Sequence, residues 1–284
     1  MGKINFTNAC SYGHDGNKGT CMSDSTLQKL IAMQHNLGFS KPLEVLLQEK
    51  GKTIEELGLL LDKRVISALG ENVILKELNE NFKPPGPVDW SLFNNFVENN
   101  VMRHLSRWDP SFLGLDVNLM DFESYGGSLS QLRFTDEGII FNDKLYKSFG
   151  CVVNTMKMSG DLTKVGHWVA VFGDFRNPQA KTIEFFNSSG RSAPKEMWSW
   201  MERSSKLVSN CIPLNVSNIQ HQRSETECGI YAVYYITARV CGLCYKKFRE
   251  TTISDERVNK FRANMFNDQN AIADTSFLEK NRLI

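Results

Sequence analysis

At 284 residues, 41% of them hydrophobic, the chain is long enough for one large domain or two smaller ones with an ordinary core. Thirty-three basic against 32 acidic side chains leave a formal net charge of +1, which offers no strong field to nucleic acid or an anionic membrane. No apolar run approaches the roughly 18 residues a bilayer span needs, and no charged n-region precedes an apolar h-region at the start, so the chain reads as soluble and not secreted. Met1-Gly2 resembles a myristoylation start, but Phe6 stands where Ser or Thr is expected.

Seven cysteines, an odd number without a framework pattern, fit reduced thiols, and no disulfide is expected. In the first segment Gly13, Gly16 and Gly19 suggest a mobile start. Leu27-Gln28-Lys29-Leu30-Ile31 opens a helical pattern, and Thr53-Ile54-Glu55-Glu56 is a capping box ahead of Leu57, Leu60, Leu61, Val65 and Leu69. Of the thirty Phe, Tyr and Trp residues only Phe6, Tyr12, Phe39 and Phe82 precede Pro84-Pro85-Gly86-Pro87, a cluster that stops any helix. These features predict an N-terminal helical arm over residues 1–83 with a thin core of its own, separable from a core domain over 84–284.

The core domain opens on a helix marked by Leu92, Phe93, Phe96, Val101 and Leu105, in which His104 reads as a surface or boundary residue. Short strands follow around Gly138, and Cys151-Val152-Val153 reads as a buried strand. His167-Trp168 then opens Val169-Ala170-Val171-Phe172, and Thr182-Ile183-Glu184-Phe185-Phe186 ends on Asn187, with a turn signal at Asn177-Pro178. If these are antiparallel strands folded about that turn, facing residues have numbers summing to about 355, so His167 and Asn187 are neighbours. Asp174 is seven residues along the strand, roughly 23 Å away. Glu184, an odd number of residues from Asn187, points to the other sheet face. Both faces of the hairpin are apolar, which predicts a central position in a sheet covered on both sides.

Ser192 can cap a helix from about Ala193 to Ser209, with Met197, Trp200, Met201, Ser204 and Val208 on one stripe. Ile212, Leu214 and Val216 alternate as a strand leading to Gln222-Arg223-Ser224-Glu225-Thr226-Glu227-Cys228-Gly229, after which Ile230 to Ile236 reads as a buried helix. Cys228 therefore falls at a helix N-terminus, where unpaired N–H groups and the macrodipole favour a thiolate. Cys241 and Cys244 form a C-x-x-C with no second pair and no nearby histidine, and read as small helix or loop residues. The fold class is α+β, a central mixed sheet flanked by helices.

Taken singly, Cys228 is a structural cysteine, His167 a core histidine, Asn187 a turn residue and Gln222 a solvated loop residue. Together they supply a nucleophile, a base, an orienting amide and an oxyanion donor. Asn in place of Asp brings no negative charge to stabilise an imidazolium, which favours a preformed thiolate over strict general-base action. His221 could serve as an alternative base.

The order His, Asn, Gln, Cys, with the Gln six residues before the Cys, resembles the Ulp/SENP-like and adenovirus-type cysteine proteases, and most closely their polyprotein-processing members from large DNA viruses. The motifs that carry it are GHWVAVF at 166–172, IEFFNSSG at 183–190, WMER at 200–203 and NIQHQRSETECG at 218–229, with weaker echoes in FKPPGP at 82–87, LMDFE at 119–123 and FGCVVNT at 149–155.

The resemblance implies a papain-like, Ulp-type core and a catalytic set of Cys228, His167 and Asn187, with Gln222 in the oxyanion hole. No cofactor, metal, nucleic acid or membrane span is called for. The expected substrates are viral structural polyproteins cut at Gly-Gly-X during virion maturation, in the virion and host cytoplasm. Trp168 either walls a narrow substrate channel or packs in the core. An isopeptidase for ubiquitin-like proteins and a non-enzymatic assembly protein on a protease fold are the alternatives. Tyr125-Gly126-Gly127-Ser128 reads as a turn in a core loop and not a self-processing site.

Overall fold

In a computed structural model of the protein, which describes residues 10, 20–39, 43, 53–160 and 166–284, the amphipathic runs of the N-terminal segment become short helices. The glycine-rich start at Gly13, Gly16 and Gly19 lies outside the described residues. Ser23 caps α1 (Asp24–Met33) by accepting from the Thr26 N–H. The pattern expected from Thr53 to Leu69 divides into α2 (Thr53–Leu60) and α3 (Lys63–Leu69). The break is at Asp62, whose carboxylate accepts from the Arg64 N–H at 2.8 Å and caps α3. Next comes α4 (Glu71–Asn81), and the proline-rich cluster follows directly.

Two of the expectations for this segment differ from the structure. The unit holding α1 to α4 extends to Asp89 and also takes in Arg262–Ile284, while Trp90–Phe261 form the second compact unit. The C-terminal segment belongs there because Ile272, Phe277, Leu278 and Leu283 are buried in one cluster with Leu30, Leu57, Leu60, Leu78 and Phe82. Within that unit Pro85-Gly86 pairs with Asn267-Asp268 as a parallel two-residue ladder. Cys10 and Cys21, expected to be reduced, are joined in a disulfide with Cα atoms 5.1 Å apart. A scattered cysteine set gave no sign that two members eleven residues apart lie within bridging distance.

The second unit is built on a six-stranded mixed sheet. Asn94 caps α5 (Asn95–Trp108), accepting from the Phe96 and Val97 N–H groups at 3.0 Å. His104 is buried in this helix and not at its surface. Then come β1 (Phe112–Gly114), β2 (Asn118–Leu119), a small antiparallel sheet of β3 (Arg133–Thr135), β4 (Gly138–Phe141) and β5 (Lys144–Tyr146), and the long strands β6 (Ser148–Asn154), β7 (Trp168–Asp174) and β8 (Lys181–Phe186). The helix expected from Ala193 to Ser209 is shorter, α6 (Lys195–Ser205), with Pro194 and not Ser192 at its N-cap. β9 (Cys211–Asn215) and α7 (Cys228–Val240) complete the core before α8 (Asp255–Met265).

The order across the sheet is β9-β8-β7-β6-β1, with β2 also on β6. β6, β7 and β8 pair antiparallel, and the two outer pairings are parallel. The apolar faces of the β7–β8 hairpin account for this central place. Val169, Val171, Ile183 and Phe185 join one buried cluster with Met197, Trp200 and Met201 of α6, while Ala170, Phe172 and Phe186 project from the opposite face. There Phe186 stacks on Tyr235 of α7, ring centroids 4.4 Å apart.

A buried charge cluster fixes how α7 lies along the sheet. The Glu184 carboxylate, fully buried, accepts from Arg239 Nε at 2.8 Å and Nη2 at 2.8 Å, from the Tyr235 hydroxyl at 2.6 Å and from Thr182 at 2.6 Å. Arg239 Nη2 also donates to Asp174 at 2.9 Å. Arg239 is near the end of α7 and Asp174 is the end of β7, so the two elements share that end. A helix rising about 1.5 Å per residue then carries its first residue, Cys228, back along β7 toward Trp168. Arg239→Met should cost about 3–5 kcal/mol, because it leaves Glu184 a buried, uncompensated charge. Denaturant titration followed by tryptophan fluorescence checks this, since all five tryptophans lie within Trp90–Phe261, and a loss below about 1 kcal/mol, the range of an exposed pair, would contradict it.

Candidate active site

Pairing places Ala170 opposite Phe186 and Asp174 opposite Thr182, so facing numbers sum to 356, one more than the turn signal suggested. His167 and Asn187 therefore leave the same end of the hairpin. The His167 Nε2 is 2.8 Å from Asn187 Oδ1. That oxygen also accepts from the Ser189 N–H at 3.0 Å and the Ser189 hydroxyl at 2.8 Å. A backbone N–H can only donate, so the Asn187 atom facing these groups is the carbonyl oxygen, and His167 must carry its proton on Nε2. Nδ1 is left as the basic nitrogen.

Local structure holds both residues. The His167 N–H donates to Thr155 Oγ1 at 2.9 Å and the Thr155 N–H donates to the His167 carbonyl at 2.9 Å. Gly166 is required there, because a Cβ would fall 1.8 Å from Asn154 Oδ1. Asn187 begins a turn closed by the Gly190 N–H on its carbonyl at 3.0 Å, and Gly190 has φ +78°, a left-handed conformation suited to glycine. Ser217 accepts from the Asn187 N–H. As expected, Asp174 is spent at the far end on Arg176 and Arg239, and Glu184 on the opposite face.

Cys228 is the first residue of α7 and is buried. Burial pushes its thiol up. Hydrogen bonds from the Trp168 backbone, from Gly229 and from its own backbone pull the other way, and the Glu98 carboxyl adds to the rise. The influence of the Trp168 backbone N–H on the thiol places the sulfur near the residue that follows His167. The upward shift runs against the expectation of a preformed thiolate: desolvation outweighs the backbone N–H groups around the sulfur. Glu98 of α5 is fully buried, and desolvation holds its own carboxyl well above the usual range. It approaches the first turn of α7 so closely that a Cβ on Gly229 would lie 2.7 Å from its Oε1.

Gln222 is held at both ends of its amide. Oε1 accepts from Ser188 Oγ at 2.7 Å and Nε2 donates to the Ser224 carbonyl at 2.8 Å, and the second Nε2–H has no acceptor among the described residues. His167, Asn187 and Gln222 line a single groove of about 570 Å³, together with Thr155, Ser189, Arg191, Arg223 and Glu225. Cys228 and Trp168 are not among the residues lining it. Trp168 is half-buried in β7, opposite Asn154.

His221 sits in the core against Phe186, its Nδ1 accepting from the Ile253 N–H at 3.1 Å, and burial pushes its pKa down. Cys241 and Cys244 lie in the turn that ends α7, far along the helix from Cys228. Thr155, Ser188, Ser189 and Glu98 were not anticipated. Three of them adjoin recognised positions, Thr155 closing FGCVVNT and Ser188-Ser189 following Asn187, but nothing local marks Glu98.

No family model matches the chain. A cysteine protease from a Malawi tick isolate of African swine fever virus is 38% identical over 208 residues, covering 67% of this chain and 74% of the relative. The chain belongs to the African swine fever virus cysteine protease family. A SUMO-1 cysteine protease from a Kenyan pig isolate of the same virus matches at the same identity and coverage. The crystal structure of the African swine fever virus protease superimposes with TM-score 0.70 at 29% identity, covering 92% of this chain and 96% of that one. The expected α+β cysteine protease core is the fold this member of the family adopts, and no described helix is long and apolar enough to cross a membrane.

The raised thiol gives a direct expectation for this African swine fever virus-type cysteine protease. Alkylation of Cys228 by iodoacetamide should climb through the alkaline range with an apparent pKa above the ordinary thiol value of about 8.5. The site-specific rate, read by mass spectrometry from pH 6 to 10, checks this. A rate already at its plateau near pH 6 would mean a stable thiolate–imidazolium pair.

Proposed function

We propose that this cysteine protease is an endopeptidase that uses Cys228, His167 and Asn187 and cuts virion structural polyproteins at Gly-Gly-X sites, in the virion and host cytoplasm. The observation that carries the reading is the His167 Nε2 to Asn187 Oδ1 hydrogen bond at 2.8 Å, at the end of β7 whose next residue meets the Cys228 thiol.

The chemistry follows from those positions. The Cys228 sulfur attacks the scissile carbonyl carbon while its proton passes to His167 Nδ1, the nitrogen that the Nε2–H···Asn187 bond leaves basic. Asn187 supplies orientation and tautomer without charge. The developing oxyanion is met by the free N–H of the Gln222 amide and by the Cys228 backbone N–H, and losing one such donor costs about 3–4 kcal/mol. His167 then protonates the leaving amine, and water, deprotonated by the same nitrogen, releases the acyl group and returns the thiol.

Specificity rests on Trp168. At the first residue of β7 its indole can narrow the approach to Cys228, so that only residues without a Cβ pass in extended conformation. Peptides cut at Gly-Gly-X should lose activity by about 100-fold or more when either glycine becomes alanine, the factor of about 2.7 kcal/mol that a steric collision readily supplies. A peptide library read by sequencing new N-termini, with Cys228→Ala as the inactive control, checks it. Indifference to Gly→Ala at both positions would sink the narrow-channel account.

The Kenyan-isolate relative is called a SUMO-1 cysteine protease, which favours a second reading, release of a ubiquitin-like protein. Turnover of a fluorogenic ubiquitin-like C-terminal amide, with no cleavage of the polyprotein peptides, would support it. The non-enzymatic alternative is disfavoured because all four positions hold side chains able to do their part.

A further inference from the structure

We infer that Asp255 is a positioning residue that sets the spacing between the two oxyanion donors by gripping the Gln222 loop and the first turn of α7 at once. The inference rests on the proposed roles of Gln222 and Cys228 and extends them.

The loop from Gln222 to Glu227 is a polar connection and has to be held to be useful. Asp255 Oδ2 accepts from the Ser224 N–H at 3.1 Å, and both its oxygens lie 3.3 Å from the Arg223 N. Its Oδ1 also accepts from the Tyr231 hydroxyl at 2.9 Å. Ser224 is the residue whose carbonyl takes the Gln222 Nε2–H. Tyr231 is one turn beyond Cys228 in α7, and its own N–H bonds the Glu227 carbonyl at 3.0 Å. One carboxylate thus connects the backbone that holds the Gln222 amide to the turn that presents the Cys228 N–H.

Asp255 is the first residue of α8, and such a residue ordinarily serves its own helix. Among the described residues, these hydrogen bonds to its carboxylate all come from outside α8. Tyr231 is fully buried, and its single hydroxyl proton is shared between Asp255 Oδ1 and the Ile253 carbonyl at 2.7 Å, which ties the phenol to the segment leading into Asp255. Burial and the adjacent Asp255 carboxylate push the Tyr231 phenol up, so it remains a donor. Misplacing a preorganised donor by an ångström lowers the rate without removing a group that binds substrate.

The experiment compares kcat and KM on one peptide substrate for wild type, Asp255→Asn, Gln222→Ala and the double variant. Asp255→Asn keeps the shape but turns one acceptor into an NH2 group facing N–H donors. It should lower kcat about tenfold or more with KM within about threefold, and leave the Cys228 alkylation rate near wild type. In the Gln222→Ala background, itself lowered about 100-fold, the same change should cost little more, because the loop then holds nothing that reaches the oxyanion. Losses that simply multiply would show that Asp255 acts elsewhere and overturn the inference. Normal kcat for Asp255→Asn beside a crippled Gln222→Ala would overturn it alone. Normal kcat for Gln222→Ala would overturn the oxyanion assignment, and the inference with it. If Asp255→Asn does not fold, Tyr231→Phe, which removes one donor to the same carboxylate, carries the same cycle with a smaller expected fall in kcat, about two- to fivefold; multiplicative loss or no loss there counts equally against it.

Discussion

The hydrogen bond between His167 and Asn187 is the interaction on which the rest of the site depends, and it exists because β7 and β8 pair in one register. A slip of one residue would carry Asn187 to the other sheet face and leave the imidazole unsupported. The register is held from both sides of the sheet: Val169, Val171, Ile183 and Phe185 are buried against α6, and Glu184 is locked to Arg239 and Tyr235 of α7. That charge cluster also aligns α7 with β7, so the same arrangement carries the start of α7, and Cys228 with it, toward the end of β7 that bears His167. Buried ion pairs add little net stability compared with apolar packing, but they penalise any arrangement that separates them.

On the proposed assignment, the electrostatics of the site are those of a concealed nucleophile. Asn187 contributes no charge, Cys228 is buried, and the carboxyl of Glu98 lies close to the first turn of its helix. Burial and the Glu98 carboxyl favour the neutral thiol, and the N–H groups around the sulfur offset them only in part. Reactivity then depends on transferring the proton when the carbonyl arrives. This places weight on His167 being held in one tautomer, which the three donors converging on Asn187 Oδ1 ensure.

Much of this was legible in the sequence because the informative elements have strong local signatures. The hairpin followed from two apolar runs about Asn177-Pro178, and the exclusion of Asp174 and Glu184 from strand length and parity alone. The helix starting at Cys228 followed from an apolar run after a polar loop. What escaped notice depends on distant chain segments. The Cys10–Cys21 disulfide, the return of Arg262–Ile284 to the N-terminal unit and the burial of His104 have no local pattern. The thiol's upward shift was missed for a related reason: the N-terminal dipole is visible in a sequence, but the depth of burial opposing it and the Glu98 carboxyl contributed by another helix are not. Asp255 adjoins no recognised motif, and its importance comes only from the two elements it joins.

The central claim is that the fold fixes His167 as the Nε2–H tautomer with Nδ1 free to take the thiol proton. Nitrogen-15 NMR of the imidazole, assigned by comparison with His167→Ala, tests it most directly. Above the ring's pKa the account predicts a protonated Nε2 and an unprotonated Nδ1, and loss of that single tautomer in Asn187→Ala. A ring protonated on Nδ1, or a tautomer mixture unchanged by removing Asn187, would contradict it.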